Sequence, residues 1–184
     1  MTTIPIPRPV SGDVVELILD DHRLFESLLR EMRDSTSDRA AVRATFADAL
    51  IAHGEAEEEK VYPRLRRKDA IDQEEVEHSE EEHAEINEAL LALLECVGTD
   101  TQKFDDAVEK MNEVLQHHLT EEELTILNPA REEVAQQDRE ALGAAFLEVR
   151  GAQLDAGCGS VENVRKIVAR AHQEGLLPPE GEEG

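Results

Sequence analysis

The sequence predicts an all-α protein, an up-down-up-down four-helix bundle with additional C-terminal helices. The 184-residue chain is rich in Ala, Leu, Glu and Arg, which favour helices, and it has no Trp, one Tyr and four Phe. Strands favour aromatic and β-branched residues instead. Apolar residues also recur at intervals of three and four along four long segments joined by short polar turns. This periodicity is typical of amphipathic helices, and short turns place successive helices antiparallel.

Apolar stripes define the first two predicted helices. The first helix is predicted over about residues 11–34, with Ser11 or Asp13 as its N-cap. The second is predicted over about residues 39–67, and Pro63 is expected to kink or end it because proline has no backbone N–H. The stripes comprise Val14, Ile18, Phe25, Leu28, Leu29 and Met32 in the first helix, and Val42, Phe46, Leu50, Val61 and Leu65 in the second.

Two further stripes define the third and fourth helices. The third is predicted over about residues 72–96, and Gly98 is a natural stop after it. The fourth is predicted over about residues 101–127, and Asn128 and Pro129 are expected to close it. The stripes comprise Val76, Ile86, Leu90, Leu93, Leu94 and Val97 in the third helix, and Phe104, Val108, Met111, Leu115 and Ile126 in the fourth.

The rest of the chain flanks this bundle. A fifth helix is predicted over about residues 134–153 and a sixth over about residues 160–174, with a glycine-containing hinge at 157–159. The sequence leaves open whether these helices pack on the bundle, cap its site or form a dimer. The predicted organisation is an extended arm at 1–10, the bundle at 11–130, a helical extension at 131–177 and a disordered tail at 178–184.

Charge and cysteine content exclude several classes of partner. The formal net charge of −24 at pH 7 would repel nucleic-acid phosphates and anionic membrane surfaces, so we expect neither as a partner. Cys96 and Cys158 lie far apart with no zinc-ribbon spacing, which favours a reduced, cytoplasmic setting. We expect no signal peptide and no membrane span, since no apolar run approaches the roughly 20 residues that a span needs.

Histidines occupy the apolar stripe of all four bundle helices. They are His22, His53, His83 and His118, one on each successive helix. Glu57 and Glu122 follow two of them by four residues. A spacing of four puts two side chains roughly 40° apart on one helical face, one turn along. Each His-x-x-x-Glu pair is therefore a two-donor claw, and the four helices together point four imidazoles and two carboxylates at one layer of the core.

This set of side chains predicts a metal site. Buried carboxylates are costly unless they are paired or coordinated, and imidazole with carboxylate suits iron, manganese or zinc. Six protein ligands exceed what one tetrahedral zinc takes. Two carboxylates bridging two metals, with two histidines on each, account for all six and leave positions open. A single core histidine is more often satisfied by a carbonyl, and a glutamate-rich block more often faces solvent, but their joint occurrence favours the metal site.

The remaining candidates carry weaker signals. His78 lies five residues before the candidate ligand on its helix, roughly 140° away, so we expect it at the surface or beside the ligands. His117 is expected to be exposed, and His172 has no partner that the sequence identifies. Glu58 and Glu123 directly follow the candidate ligands, and we expect them to face solvent, with contact to the ligands as the alternative.

Over about residues 11–130 the chain resembles the hemerythrin-like, or HHE cation-binding, domain family. The resemblance implies a non-haem diiron centre, in which the two claw glutamates bridge two iron ions and the four histidines are terminal ligands, with an oxo or hydroxo bridge left open. The assignment of each histidine to an iron also stays open. The matching motifs are Asp21-His22-Arg23, His53 to Glu57 with Val61-Tyr62-Pro63, Glu82-His83, and His118 to Glu122 leading toward Pro129.

One departure from the oxygen-carrying members bears on function. Those proteins have a His-x-x-x-His pair on the third helix, whereas Ser79 stands four residues before His83 here. One histidine fewer argues against reversible oxygen carriage and favours chemistry with peroxide, oxygen or nitric oxide. Tyr62 is the single tyrosine, and it is either a core anchor or a residue that reaches the iron site.

The resemblance leads to three functional hypotheses. The leading one is a cytoplasmic diiron protein, monomer or homodimer, that binds or reacts with O2, hydrogen peroxide or nitric oxide, with weak catalase-like activity as its enzymatic version. The second is an oxygen or iron sensor that reports through the C-terminal extension, and the third is iron storage. The candidate walls of the pocket are Ile18, Phe25, Phe46, Leu50, Ile86, Leu115 and Met111.

Overall fold

The computed structural model describes residues 4–179, and no strand occurs within that range. The regular elements are α1 (Val14–Arg33), α2 (Arg39–Ala56), α3 (Tyr62–Arg67), α4 (Gln73–Leu94), α5 (Gln102–Glu122), α6 (Asn128–Glu133), α7 (Gln136–Asp155) and α8 (Val161–Gln173). A π-helical turn, Glu57–Val61, joins α2 to α3, and a second, Glu123–Leu127, joins α5 to α6. The described chain therefore forms six continuous helical rods, namely α1, α2 with α3, α4, α5 with α6, α7 and α8. This confirms the predicted all-α class and the hemerythrin-like helical bundle.

Side-chain caps fix where the bundle helices begin. Asp13 caps α1 by accepting a hydrogen bond from the backbone N–H of Val15. Asp72 and Glu75 form a reciprocal capping box at the start of α4, and Thr101 caps α5. Such caps satisfy the first backbone donors of a helix, which have no partner within it.

The two prolines do not end their helices. Pro63 and Pro129 each lie in the first turn of the α-helix that follows a π turn, where a missing N–H is tolerated. The helical backbone continues through each proline by way of the preceding π turn. In the first of these turns the N–H of Tyr62 bonds to the carbonyl of Glu57, five residues earlier. The prediction that Asn128 and Pro129 close the fourth helix was wrong, because that rod continues to Glu133.

The core is divided into two apolar clusters. One fills the end of the bundle that contains Phe25, Phe46 and Leu90, and the other fills the end that contains Ile18 and Ile126. Along α1, the residues before His22 belong to one cluster and the residues after it belong to the other. The histidine layer is therefore enclosed between two dry regions, where polar interactions are strong and water is excluded.

The C-terminal helices pack on the bundle. Helix α7 lies along α1 and α2, and α8 lies along α4. Gly143 of α7 sits against the backbone of Gly12, where a Cβ would come within 2.0 Å of a carbonyl oxygen, so this close approach requires glycine. Within the described residues no helix is long and apolar enough to cross a membrane.

The ends of the chain lie partly outside the structure. Residues 1–3 of the predicted arm and residues 180–184 of the tail predicted to be disordered are outside the described residues. Cys96 and Cys158 are free and buried.

Candidate metal centre

The structure brings the six predicted side chains into one buried layer. Helix α1 supplies His22, α2 supplies His53 and α4 supplies His83, while the first residue of the first π turn supplies Glu57. Helix α5 supplies both His118 and Glu122. Each of the six residues is at most 6% exposed. Both glutamates come at the junction between an α-helix and a π turn, a local irregularity that is frequent at functional sites.

Four of these side chains form the first group of potential ligands. The ligand atoms of His22, His53, Glu57 and Glu122 all lie within 4.8 Å of one another. The Nε2 of His53 is 3.0 Å from Oε1 of Glu57, and the Nε2 of His22 is 3.4 Å from Oε2 of Glu122. Two imidazoles and two carboxylates thus face one point.

The second group shares Glu57 with the first. The ligand atoms of Glu57, His83 and His118 also lie within 4.8 Å of one another. The Nε2 of His83 is 3.4 Å from Oε2 of Glu57 and 3.1 Å from Nε2 of His118, and the latter is 3.3 Å from Oε2 of Glu122. Glu57 therefore turns one oxygen to each group, and His22 pairs with His53 while His83 pairs with His118.

Unpaired polar atoms in this layer fit a bound cation. The Nε2 atoms of His22 and His53, Oε1 of Glu57 and Oε2 of Glu122 are buried, and none of them makes a hydrogen bond among residues 4–179, although each nitrogen lies 3.0–3.4 Å from one of these oxygens. Leaving a buried donor or acceptor unpaired costs about 1–3 kcal/mol per group, more for a charged one. A metal ion between them would satisfy all four atoms, so the donor set suits a metal of the class that binds imidazole and carboxylate.

Every histidine of the layer also has a carboxylate near its outer nitrogen. The Nδ1 atoms lie 3.0 Å from Glu123 for His22, 3.1 Å from Asp21 for His53, 2.7 Å from Glu58 for His83 and 3.4 Å from Glu82 for His118. A carboxylate beside Nδ1 favours the tautomer that carries its proton there, so the lone pair of Nε2 points inward toward a metal. This arrangement orients the rings of His22, His53 and His83 for ligation, whereas Nδ1 of His118 lies near Glu82 without a hydrogen bond.

These carboxylates were only partly anticipated. Glu58 and Glu123 were expected to face solvent, and their side chains are 38% and 46% exposed while they contact the rings. Asp21 and Glu82 were missed in this role. Each stands directly before a candidate ligand in the sequence, but each contacts the histidine of a neighbouring helix, so only the helix packing reveals the pair.

The charges of the layer favour positively charged imidazoles in the metal-free protein. Burial by itself lowers the pKa of His53, but the negative charges of Glu57 and Asp21 outweigh it and raise that pKa to about 10. Burial by itself raises the pKa of Glu122, but the nearby imidazoles of His118 and His22 hold it well below its usual value. A site that stabilises positive charge in this way is suited to a cation.

Tyr62 reaches the layer. Its hydroxyl donates to Oε2 of Glu57 at 3.1 Å and lies 3.3 Å from both Nε2 of His83 and Oε1 of Glu122. Five residues along an α-helix point roughly 140° away, but the π turn stacks residue i+5 over residue i. Burial and the charges of Glu122 and Glu57 raise the pKa of Tyr62 well above its usual value, so it stays a proton donor. The residue anchors the core and also contacts the site.

Arg150 of α7 extends the layer into the C-terminal region. Its guanidinium donates to both carboxylate oxygens of Asp21, at 2.9 and 2.7 Å, and both side chains are buried. Burial raises the pKa of Asp21, but His53 and Arg150 outweigh this and lower it. This contact could not be predicted from a local sequence pattern, since 129 residues separate the two positions.

A small cavity of about 20 Å³ adjoins the layer. Its lining includes His53, His83 and His118 together with Gly54 at its wall. A volume of this order holds about one water-sized molecule. Of the seven predicted wall residues, Phe25, Leu50, Ile86 and Leu115 line it, while Ile18, Phe46 and Met111 pack inside the apolar clusters.

The other histidines lie away from the layer. His78 and His117 are at the surface, as predicted, with side chains 55% and 66% exposed. The Nδ1 of His172 is 2.9 Å from the carbonyl of Pro178. Ser79, which stands where the oxygen carriers have a further histidine, is buried.

A buried layer of histidines and glutamates inside a helical bundle defines a class of metal-binding protein. The profile described as the hemerythrin HHE cation-binding domain matches residues 13–130. Because this match covers more than half of the chain, the protein belongs to the hemerythrin HHE cation-binding family, and its buried clusters are able to hold a metal.

One relative is a larger protein that is named for an activity on DNA. The chain is 25% identical over 137 residues to a DNA nickase of Nostoc sp. (strain PCC 7120), in an alignment that covers 73% of this chain and 38% of that protein. The chain therefore spans well under half of that relative's length. No solved structure matches the chain significantly.

Proposed function

We propose that the protein is a non-haem diiron protein that binds or reacts with O2, hydrogen peroxide or nitric oxide. His22 and His53 would hold one iron, His83 and His118 the other, and Glu57 and Glu122 would bridge them. The observation that carries this proposal is the convergence of four unpaired, buried ligand atoms on one point. The two-and-two distribution of the histidines supports a pair of ions over a single one.

When bound, iron would supply redox chemistry and Lewis acidity toward a small oxygen- or nitrogen-containing molecule. The chain would supply the rest. The apolar clusters exclude water, and the cavity beside His53, His83 and His118 admits one small molecule. Tyr62 holds a proton on its hydroxyl at 3.1 Å from Glu57.

Two glutamates line the cavity. Glu55 and Glu58 both line it, and Glu58 contacts Nδ1 of His83 while remaining partly exposed. Burial and the nearby charge of Glu58 raise the pKa of Glu55, so this carboxyl keeps its proton to higher pH than a free glutamic acid. A proton donor at the edge of the cavity supports peroxide chemistry more than simple oxygen carriage.

A peroxide-decomposition assay tests whether the proposed diiron protein is an enzyme. Iron-loaded protein is mixed with hydrogen peroxide, oxygen release is followed with an electrode, and metal content and the optical spectrum are recorded on the same sample. We expect release faster than from an equal amount of free iron, and a Glu57→Gln/Glu122→Gln variant should fall to the rate of free iron. The exposed glutamates Glu59 and Glu132 give a charge-matched control, Glu59→Gln/Glu132→Gln. Turnover no faster than free iron would rule out the enzyme.

A sensor of oxygen or iron is the second candidate. The contact from Arg150 through Asp21 to His53 favours it, because that contact joins the C-terminal helices to the layer. Metal loss should then loosen those helices. If chelation leaves helix content and melting temperature unchanged, the sensor proposal fails. Iron storage is less favoured, since the proposal gives the chain a single internal centre.

We propose no role on nucleic acid, although one relative is named a DNA nickase. The net charge of −24 opposes binding to a polyanion. Incubation of supercoiled plasmid with the metal-loaded protein discriminates the two activities, and nicked circles above the level of free metal would overturn this view. A reduced, cytoplasmic setting stays our expectation, supported by two free cysteines.

A further inference from the structure

A second set of His-x-x-x-Glu pairs lies outside the buried layer. Helix α4 carries His78 and Glu82, and α5 carries His117 and Glu121, each pair spaced by four residues. The two helices pack against each other, so the pairs face across a groove.

His78, Glu82 and Glu121 converge into one group, and His117 lies beside it. The Nε2 of His78 is 3.3 Å from Glu82 and 2.9 Å from Glu121. The Nε2 of His117 is 3.5 Å from Glu121 and 3.9 Å from Glu82. The ligand atoms of His78, Glu82 and Glu121 lie within 4.8 Å of one another, which is the same spacing as that of the ligand atoms in each buried group.

Glu82 provides an independent sign of a ligand. The residue is only 8% exposed, and its Oε2 is buried with no hydrogen-bond partner among the described residues. That oxygen is directed toward His117, beyond hydrogen-bonding distance. Ion pairs between protonated histidines and glutamates would account for the exposed contacts of His78, but they leave this buried oxygen unpaired at a cost that a cation would remove.

The surrounding charge also favours a cation. The groove is lined by further carboxylates on α4 and at its N-terminus: Asp72, Glu74, Glu75, Glu77 and Glu81. A concave surface of one sign of charge concentrates counter-ions. Acidic residues alone would not specify a metal site. Two imidazoles among them supply nitrogen donors, which favour a transition metal over Mg²⁺ or Ca²⁺.

We propose that His78, Glu82, His117 and Glu121 form a separate, solvent-facing site for one divalent transition-metal ion. Two imidazoles and two carboxylates give the four donors of a tetrahedral Zn²⁺ or Co²⁺ site. The site adjoins the buried layer, because the other oxygen of Glu82 is 3.4 Å from Nδ1 of His118. It is nonetheless distinct, since none of its four residues belongs to the six in the buried layer.

Metal counting with Co²⁺ tests the site. The full chain is dialysed against excess Co²⁺, bound metal is counted, and the visible absorption bands of Co²⁺ are recorded. A His78→Gln/His117→Gln variant should bind one ion fewer per chain than the unmodified protein, with loss of its share of the bands. A His172→Gln variant is the matched control and should keep the full count. Both substituted histidines of the double variant are exposed, so the fold should be unchanged by circular dichroism.

The same pair of substitutions is repeated in a Glu57→Gln/Glu122→Gln background. The loss of one ion should recur there, which separates this site from the buried layer whether or not that layer holds metal. An unchanged count in the His78→Gln/His117→Gln variant, or an equal loss in His172→Gln, would overturn the proposal.

Discussion

The hydroxyl of Tyr62 is the one phenol within reach of the buried layer, and it contacts side chains from three rods. It donates to Glu57 on its own rod and lies near His83 on α4 and Glu122 on α5. Its ring is fully buried, in the apolar cluster that contains Ile18. A single atom is thus placed beside both glutamates of the layer while the rest of the side chain fills the core.

Replacing Tyr62 with Phe should separate these two roles. The ring would still fill its space, so we expect a loss of stability of only about 1 kcal/mol, the usual value of one hydrogen bond. Metal content should stay as in the unmodified protein, whereas the optical spectrum of the iron-loaded form should shift because Glu57 loses its donor. Urea unfolding, metal analysis and absorption spectra provide the three measurements. An unchanged spectrum would mean that the hydroxyl serves the core alone.

At this scale, spacing in the sequence identified the side chains that the structure gathers in the layer. Helical periodicity sufficed for His53 and Glu57, because both lie on one regular helix up to the start of the π turn. It left the position of Tyr62 undecided, because that position depends on the π turn, and it missed the contact of Asp21, whose partner lies on another helix. Contacts that depend on helix packing leave no periodic signal.

Helix α7 contributes a buried charge to the layer from outside the segment that matches the family. Arg150 forms two hydrogen bonds with Asp21 and one with the carbonyl of Pro7, so it ties the N-terminal arm, α1 and α7 together. Asp21 in turn accepts from His53. The element therefore supports the orientation of a candidate ligand two contacts away.

Arg150→Gln should be strongly destabilising. Removing one partner of a buried ion pair leaves the other charge uncompensated, which costs about 3–5 kcal/mol. Arg131→Gln is the matched control, since Arg131 also pairs with a carboxylate of α1, Glu16, but at the surface, where such a pair contributes about 0–1 kcal/mol. Urea unfolding of the metal-free proteins measures both. Similar losses for the two variants would contradict this account.

Elements were easier to predict than their ends and their packing. The first four rods follow from apolar periodicity, the two C-terminal rods lie close to their predicted ranges, and the second rod ends at the predicted Arg67. The fourth rod was predicted too short, because the sequence rule for proline takes no account of a preceding π turn. The packing of α7 on α1 depends on the close approach of Gly143 to the backbone of Gly12, and no local sequence pattern predicts this contact.

Across the whole molecule, stability in the metal-free state should depend on pH through the buried layer. His53 has a pKa of about 10 in the folded protein against a usual value of 6.5. A raised pKa means that the folded state binds the proton more tightly than the unfolded chain. Its contribution to stability is therefore complete below about pH 6.5 and is lost as the pH rises through about 10.

Chelator-treated protein should consequently show a urea midpoint that falls between pH 6.5 and pH 10. Metal-loaded protein should show a smaller fall in this range, because a metal ligand must be a neutral imidazole and the ion replaces the proton. Loading at neutral pH should also release protons, which a weakly buffered sample reports directly. A midpoint for the metal-free form that rises or stays level over this range would contradict the expected sign.

The two claws of the layer are near repeats, and Tyr62 makes them unequal. Each claw runs into a π turn, but the residue five positions after Glu57 is Tyr62, whereas five positions after Glu122 it is Leu127. One half of an otherwise duplicated cage thus carries a phenol and the other an alkyl group. Two metal ions held in such a cage, as proposed above, would not be interchangeable. Under the proposed function, selection could therefore change the metal preference of one position while leaving the other unchanged.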